Sequence, residues 1–288
     1  MNLSRILRKQ PQQTWQRPQI PTHIVIIILI LFSLLPIYLM LTISFKTPLQ
    51  YQHERWNVSF PLRLTNFNSA WQILGPYIIN TVIVAVIGFA GVLVLSIIGG
   101  YVFARLRFPF KGPIYYSIIA LLMVPWILSF VPAYMLYNQF KMLDSWWALI
   151  IPNIAGGPVF GIFLLRTFFE GIPEELYESA RIDGAGHWTL IWDITMPLTL
   201  PVIATLAILN FLGTWNNFLW PLVAISDKTK QMISVGLYYI SGVSGGSGGM
   251  EFGPLFAGYV LSSIPLVILF FALGKFYIEG LVNSGLKV

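Results

Sequence analysis

Apolar residues in this chain gather into runs of about 20 or more, the length at which an α-helix rising ~1.5 Å per residue crosses the roughly 30 Å of hydrocarbon in a bilayer. Such runs lie at 24–45, 77–103, 114–137, 147–167, 200–225 and 255–278, separated by stretches that carry most of the charge. The pattern predicts an all-α polytopic transmembrane bundle of six spans. It divides the chain into a polar N-terminal segment (1–23), a six-span domain (24–278) and a short tail (279–288). The first segment sets Arg5, Arg8, Lys9 and Arg17 among Gln and Pro and has too little apolar surface to order itself.

Glycine and proline punctuate the runs. Pro36 is placed to kink the first span, and Gly88, Gly91, Gly99 and Gly100 let the second approach a neighbour closely. Pro125 and Pro132 in the third free backbone carbonyls that need partners inside the bundle. Pro152, Gly156, Gly157 and Pro158 interrupt the fourth, where Gly157 and Gly161 have the small-xxx-small spacing of packed helices. Residues 46–75 are polar and too long for a simple turn. After the fifth span come Asp227, Lys228 and Lys230 and then the Gly/Ser-rich run 241–249, which predicts a flexible loop.

One polar stretch, 168–200 between the fourth and fifth spans, stands apart. From Arg166 to Asp193 the chain carries eight charges: Arg166, Glu170, Glu174, Glu175, Glu178, Arg181, Asp183 and Asp193. At about 2.5–3.5 kcal/mol each for the centre of a bilayer, burying them in lipid would cost on the order of 20 kcal/mol, so the stretch faces water. Pro173 fits the first helical position, and Glu174 and Glu175 then sit in the first turn, where the helix dipole favours acids. Ile172, Leu176 and Ala180 form one apolar stripe, and Glu178 is placed to pair with Arg181. Gly184 suits a left-handed helix end and Asp183 can cap a second helix; Trp188, Ile191 and Trp192 then make a second apolar face before Pro197. The reading is helix, turn, helix.

Composition agrees with a membrane protein: 56% of residues are hydrophobic and 10% charged, with a mean hydropathy of +0.74. The net charge of +6 follows membrane topology. With six spans, Arg5, Arg8, Lys9, Arg17, Arg105, Arg107, Lys111, Arg166, Arg181, Lys275 and Lys287 fall on one side, and Lys46, Arg55, Arg63, Lys141, Lys228 and Lys230 on the other. The richer side is the cytoplasmic one, which places both termini and the charged stretch inside the cell. Nothing in the chain reads as a nucleic-acid signal. The absence of cysteine excludes disulfides, thiolate metal sites and cysteine nucleophiles. There is no phosphate-binding Gly-rich loop and no Gly-x-Ser-x-Gly elbow; His23, His53 and His187 are scattered, and no acid lies in mid-span. No catalytic residue, metal ligand or cofactor site is therefore expected.

The fifth run is the one with buried polarity. Asn210, Thr214 and Asn217 stand at i, i+4 and i+7, with Trp215, Asn216, Phe218 and Trp220 around them. Amides beside flat aromatic faces suit a polyhydroxylated ligand such as a sugar. The same residues serve equally well as interhelical hydrogen bonds, worth about 0.6 kcal/mol per contact.

The sequence Glu178-Ser179-Ala180, three residues, Gly184, nine residues, Ile194, one residue, Met196-Pro197 resembles the Glu-Ala-Ala to Leu-Pro signature of the membrane subunits of binding-protein-dependent ABC importers. The spacing fits without insertion; Ser179 replaces the middle alanine and Met196 the leucine, and both keep the size class. The segments 101–108, 161–166, 181–185 and 215–222 are similar to the carbohydrate-importing branch, and 276–287 looks like the ending of its maltose-type subunit. The resemblance implies a permease subunit of a sugar importer in the cell inner membrane. It implies a coupling role for Glu178, Ser179, Ala180, Asp183, Gly184, Ile194 and Pro197 toward a separate ATPase, which binds the ATP and Mg that this chain does not. It also implies a second, related permease subunit, two ATPase subunits and an extracytoplasmic solute-binding protein. A permease for a non-sugar solute, or an ATP-independent carrier or channel, is the alternative.

Overall fold

The computed structural model describes residues 20–244 and 251–285; Arg5, Arg8, Lys9 and Arg17 and the centre of the Gly/Ser-rich run lie outside the described residues. Every regular element among the described residues is helical. Among the described residues five helices are long and apolar enough to cross a membrane, or six where a pair bent by 91° is counted as one broken span.

Helix α1 (Ile20–Ser44) exposes its apolar side chains along most of its length and buries only Ile43 and Ser44, as a helix facing lipid does. The region 46–75, expected as a loop, is built. A short helix, α2 (Pro48–His53), starts from a reciprocal cap in which the Thr47 hydroxyl accepts from the Gln50 N–H and the Gln50 side chain accepts from the Thr47 N–H. Lys46 is buried and donates to the carbonyls of Glu54 and Arg55, and burial lowers its pKa from the usual 10.5. Helix α3 (Thr65–Arg105) has 41 residues and begins well before the predicted second span. Ala70, Leu74 and Ile78, at four-residue spacing, are buried and carry the helix outward along α12, where Gly258 lies against Leu74.

The third span is a break rather than a rod. Helix α4 (Lys111–Ala120) continues through a 3₁₀ turn, a second 3₁₀ turn opens at Trp126, and α5 (Phe130–Gln139) follows, the two arms meeting at 91°. Val124 precedes Pro125 and is extended (ψ 117°), the conformation a following proline imposes. Pro132 falls in the first turn of α5, where a missing N–H leaves no hydrogen bond unmade.

Helix α6 (Trp147–Glu170) is unbroken, contrary to the expected interruption at Pro152 and Pro158. Pro152 cannot donate to the Ala148 carbonyl, and the indole of Trp220 does so instead at 2.7 Å. Glycines interlock α6 with α3: a Cβ at Gly88 would stand 2.7 Å from the Asn153 amide, one at Gly157 2.6 Å from Val92, and one at Gly161 would overlap Ser96.

Helix α7 (Glu174–Ile182) is the first arm of the charged hairpin. The second arm, α8 (His187–Thr189), runs through a π-helical turn at Leu190–Thr195 into α9 (Met196–Trp215). It is therefore the start of the fifth span itself, which lies thirteen residues earlier than predicted, at His187 rather than residue 200. Pro197 cannot donate to Asp193, and the ladder widens just upstream of it. Helix α9 stops at Trp215, not near 225, and α10 (Leu219–Ala224) follows a break.

The expected flexible loop begins instead with α11 (Ile233–Ser244), whose Ile233, Val235 and Ile240 are buried. The polar residues ahead of it tie this end together. Asn80 donates to the carbonyls of Thr229 and Gln231, Thr81 accepts from Ile233 N–H, and one Asp144 oxygen accepts from the N–H groups of Ser226 and Asp227. Helix α12 (Phe252–Gly285) packs on α1, α3 and α9 and runs beyond the predicted end at 278.

Candidate functional site: a charged hairpin and a broken span

At the end of the bundle where α6 finishes, the chain turns at Gly171 and Ile172 and enters α7 behind Pro173, with Glu174 and Glu175 in the first turn. At its far end Gly184 is left-handed (φ +87°); Gly184 N–H donates to Arg181 and Ala185 N–H to Ala180, which satisfies the last carbonyls. Asp183 ends α7 and caps nothing further, since α8 opens at Gly186 without a side-chain cap.

The inward face of α7 differs from the predicted stripe. Ile172 is buried and Ala180 half-buried, but Leu176 is exposed, and the anchor is Tyr177, with no exposed surface at all. Its hydroxyl donates to Thr195 Oγ1 at 2.8 Å, since the Thr195 hydroxyl itself donates to the Leu190 carbonyl. The Arg105 guanidinium lies over the Tyr177 ring, 4.1 Å from its centroid. A second strap joins Tyr101 Oη to His187 Nδ1 at 3.0 Å. Leu190 and Ile191 enter the core, whereas Trp188 and Trp192 face outward. Glu178 does not meet Arg181; Arg181 turns to Glu174 at 3.6 Å.

The residues of the signature therefore separate by role. Ala180 and Ile194 pack inward, and Pro197 lies in the first turn of α9. Glu178, Ser179, Asp183 and Gly184 are exposed beside Leu176, Ile182 and Trp188. At Gly184 a Cβ would meet nothing within 4 Å. Acids and large apolar side chains thus share the exposed surface of the hairpin.

The fifth-span polar stripe is split by the end of α9. Asn210 and Thr214 turn toward Asn153 of α6: Asn210 Nδ2 donates to Asn153 Oδ1 and Asn153 Nδ2 to Thr214 Oγ1, both at 3.1 Å. Trp215 is core, stacked on Phe211 with centroids 5.5 Å apart. Asn216 and Asn217 lie past the helix end and are exposed. Asn216 Nδ2 donates to the Leu212 carbonyl, and the Asn217 side-chain amide bonds to no described residue. Together with Gly213, Phe218, Leu219 and Trp126 they line a cleft of about 350 Å³. Trp126, from the break in the third span, also borders an apolar cleft of about 420 Å³ under Pro152 and Trp220.

Sequence reasoning missed Arg105, Tyr177, Thr195, Asn153 and Trp126. Asn153 carried a signal, a lone amide in an apolar run four residues from Gly157. Tyr177 and Thr195 carried none, because their partners lie on other elements.

A model of the family described as the binding-protein-dependent transport system inner membrane component matches residues 96–281. The chain belongs to this family. It is 32% identical to the diacetylchitobiose uptake system permease protein NgcG of Streptomyces coelicolor, over 92% of this chain and 87% of that one. It is 28% identical to the sn-glycerol-3-phosphate transport system permease protein UgpE of Yersinia pestis, over 91% and 95%. Its fold matches a chain in the crystal structure of a bacterial ABC transporter involved in the import of the acidic polysaccharide alginate, with a TM-score of 0.80 and 20% identity, covering 94% of this permease and all of that chain. The permease is thus a multi-pass membrane transport component and not an enzyme.

Proposed function

We propose that this permease is the membrane-spanning subunit of an ATP-driven importer that takes up a sugar or oligosaccharide delivered by an extracytoplasmic solute-binding protein. It pairs with a second, related permease chain in the cell inner membrane and is driven by two ATPase subunits that bind ATP and Mg. Both termini and the hairpin lie in the cytoplasm, the side favoured by the basic residues. The observation that carries the reading is the hairpin: signature residues exposed on its outer face, with its inner face fastened to the ends of α3, α6 and α9.

Supporting a sugar, relatives are named for diacetylchitobiose and alginate import, and the cleft at the break in the fifth span sets exposed amides beside Trp126. A phosphorylated solute, as in the name of UgpE, would call for fixed positive charge, and neither cleft is lined by Lys or Arg. In the cycle, closure of the ATPases displaces the hairpin, and the spans attached to it tilt to open the path alternately to either side.

The test is uptake in liposomes containing the whole complex, with binding protein and labelled sugar. Gly184→Asp, at a left-handed position with open space around it, places a charge on the docking face and is expected to abolish ATP-dependent uptake. Gly184→Asn, which tolerates the same backbone, is expected to retain it. Full uptake by both Gly184→Asp and Glu178→Arg would exclude the coupling role.

A further inference from the structure

Arg105 is the last residue of α3, where a helix dipole favours a cation, yet its side chain is 7% exposed. It is held by four partners from two other elements. Nη2 donates to the carbonyls of Phe169 and Ile172, the latter at 2.6 Å; Nη1 donates to Glu174 Oε2 at 2.7 Å; and the guanidinium carbon lies 4.1 Å from the centroid of the Tyr177 ring. The two carbonyls belong to the end of α6 and to the turn after it, groups that a helix end leaves without intrahelical partners. The carboxylate and the ring belong to the first turns of α7. A single planar fork thus closes the turn between span and hairpin from outside.

About one turn back along α3, a Cβ at Gly100 would stand 3.0 Å from Leu165 Cβ and 3.3 Å from Arg166 N, so the two helices are in close contact here. Tyr177 carries the connection onward through its hydroxyl to Thr195 and so to α9. Without the guanidinium, α7 would be left with the covalent link through Gly171 and Ile172 and with Tyr177, whose ring shares the core with Leu165 and Phe169, and no charged or backbone-directed bond would close the turn.

We propose that Arg105 is the positioning residue that makes the hairpin one rigid piece with α3 and α6, so that displacement of α7 reaches the spans instead of being absorbed in the turn. This rests on the importer reading above. Lysine is not a substitute, because a single ammonium cannot reach two carbonyls and a carboxylate with the fixed fork of a guanidinium.

The experiment measures ATP hydrolysed per sugar imported, for the whole complex in liposomes with binding protein. In Arg105→Lys, which keeps the charge and the aliphatic stem, and in Arg105→Ala, uptake is expected to fall about tenfold, the order of a typical coupling between sites. Basal ATP hydrolysis and assembly with the ATPases should persist, so the ATP-to-sugar ratio rises. Glu174→Gln, which leaves both carbonyl bonds and the ring contact in place, should stay near the wild-type ratio. A spin label at Glu175→Cys should become more mobile when Arg105→Lys is added. Where Arg105→Ala does not accumulate, Arg105→Lys carries the test. An unchanged ratio and unchanged label mobility in Arg105→Lys overturn the proposal. Absence of ATP-dependent uptake in the wild type overturns the importer reading instead.

Discussion

Asn153 decides which of two roles the amides near mid-membrane play. The spacing of Asn210, Thr214 and Asn217 assumed one continuous helix, and on that assumption the three were equivalent. The structure gives the first two a protein partner on α6 and leaves the third facing a cleft. Substitution should therefore have opposite consequences at the two kinds of position. Asn153→Ala removes the bonds to Asn210 and Thr214 and is expected to lower stability by about 1 kcal/mol at roughly 0.6 kcal/mol per contact, read as a lowered midpoint of thermal unfolding in detergent. Asn217→Ala breaks no side-chain bond to a described residue and should leave that midpoint unchanged while reducing sugar uptake. A shift of the midpoint by Asn217→Ala alone would place its amide in the packing rather than in the path. The partition was illegible in the sequence because it turns on where α9 ends, and a helix end is set by what surrounds it. Tyr177 makes the same point from the other side: it stands among Glu174, Glu175 and Glu178 in sequence, and its complete burial comes from Arg105, Thr195 and core residues on other elements.

Among the elements, prolines with the same appearance in sequence have opposite outcomes. Pro125 breaks the third span into arms at 91°, while Pro152 sits inside a continuous α6. In α6 the carbonyl released by Pro152 accepts from the Trp220 indole, whereas at the break the Leu121 carbonyl accepts from Val124 N–H in a 3₁₀ turn. Trp220→Phe withdraws that donor and puts a smaller ring in the core, leaving a buried carbonyl unsatisfied, and should destabilise the permease by about 1–3 kcal/mol from the carbonyl alone. Thermal unfolding of the purified protein checks this, and a change within error would mean that another donor or water takes the carbonyl over. The existence of the long helices was legible because long apolar runs have few other fates in a bilayer. Their limits were not. Helix α3 starts early because Ala70 and Leu74 meet α12, and the second arm of the hairpin is continuous with the fifth span because its polar residues find partners on α3 and α7. The glycine spacing in α3 and α6, by contrast, reported its packing directly, since only a missing Cβ permits that approach.

For the whole molecule, the two ends of the bundle are built differently. One end is closed by a polar network around Asn80, Asp144 and Gln231 and by an ordered cap from Lys46 to Leu64, whose Trp56 and Phe60 are exposed. The other end presents α7 with its exposed acids and the basic residues Arg105, Arg107 and Lys111. In the proposed topology, which rests on the basic residues of the whole sequence, the α7 end faces the cytoplasm and the cap faces outside. The absence of cysteine makes the natural chain a ready background for testing this. Asp183→Cys puts a thiol at the hairpin tip, and Val58→Cys puts one in the cap, both at exposed positions. In intact cells whose outer barrier is permeabilised, a membrane-impermeant maleimide is expected to label Val58→Cys at once and Asp183→Cys only after the inner membrane is opened. In purified complex, addition of the ATPase subunits should then protect Asp183→Cys and leave Val58→Cys reactive, because the signature residues share one face with Asp183. The reverse order of labelling would put the hairpin outside the cell, where no ATPase could reach it, and the coupling of α3, α6 and α9 through Arg105 and Tyr177 would lose its driving partner.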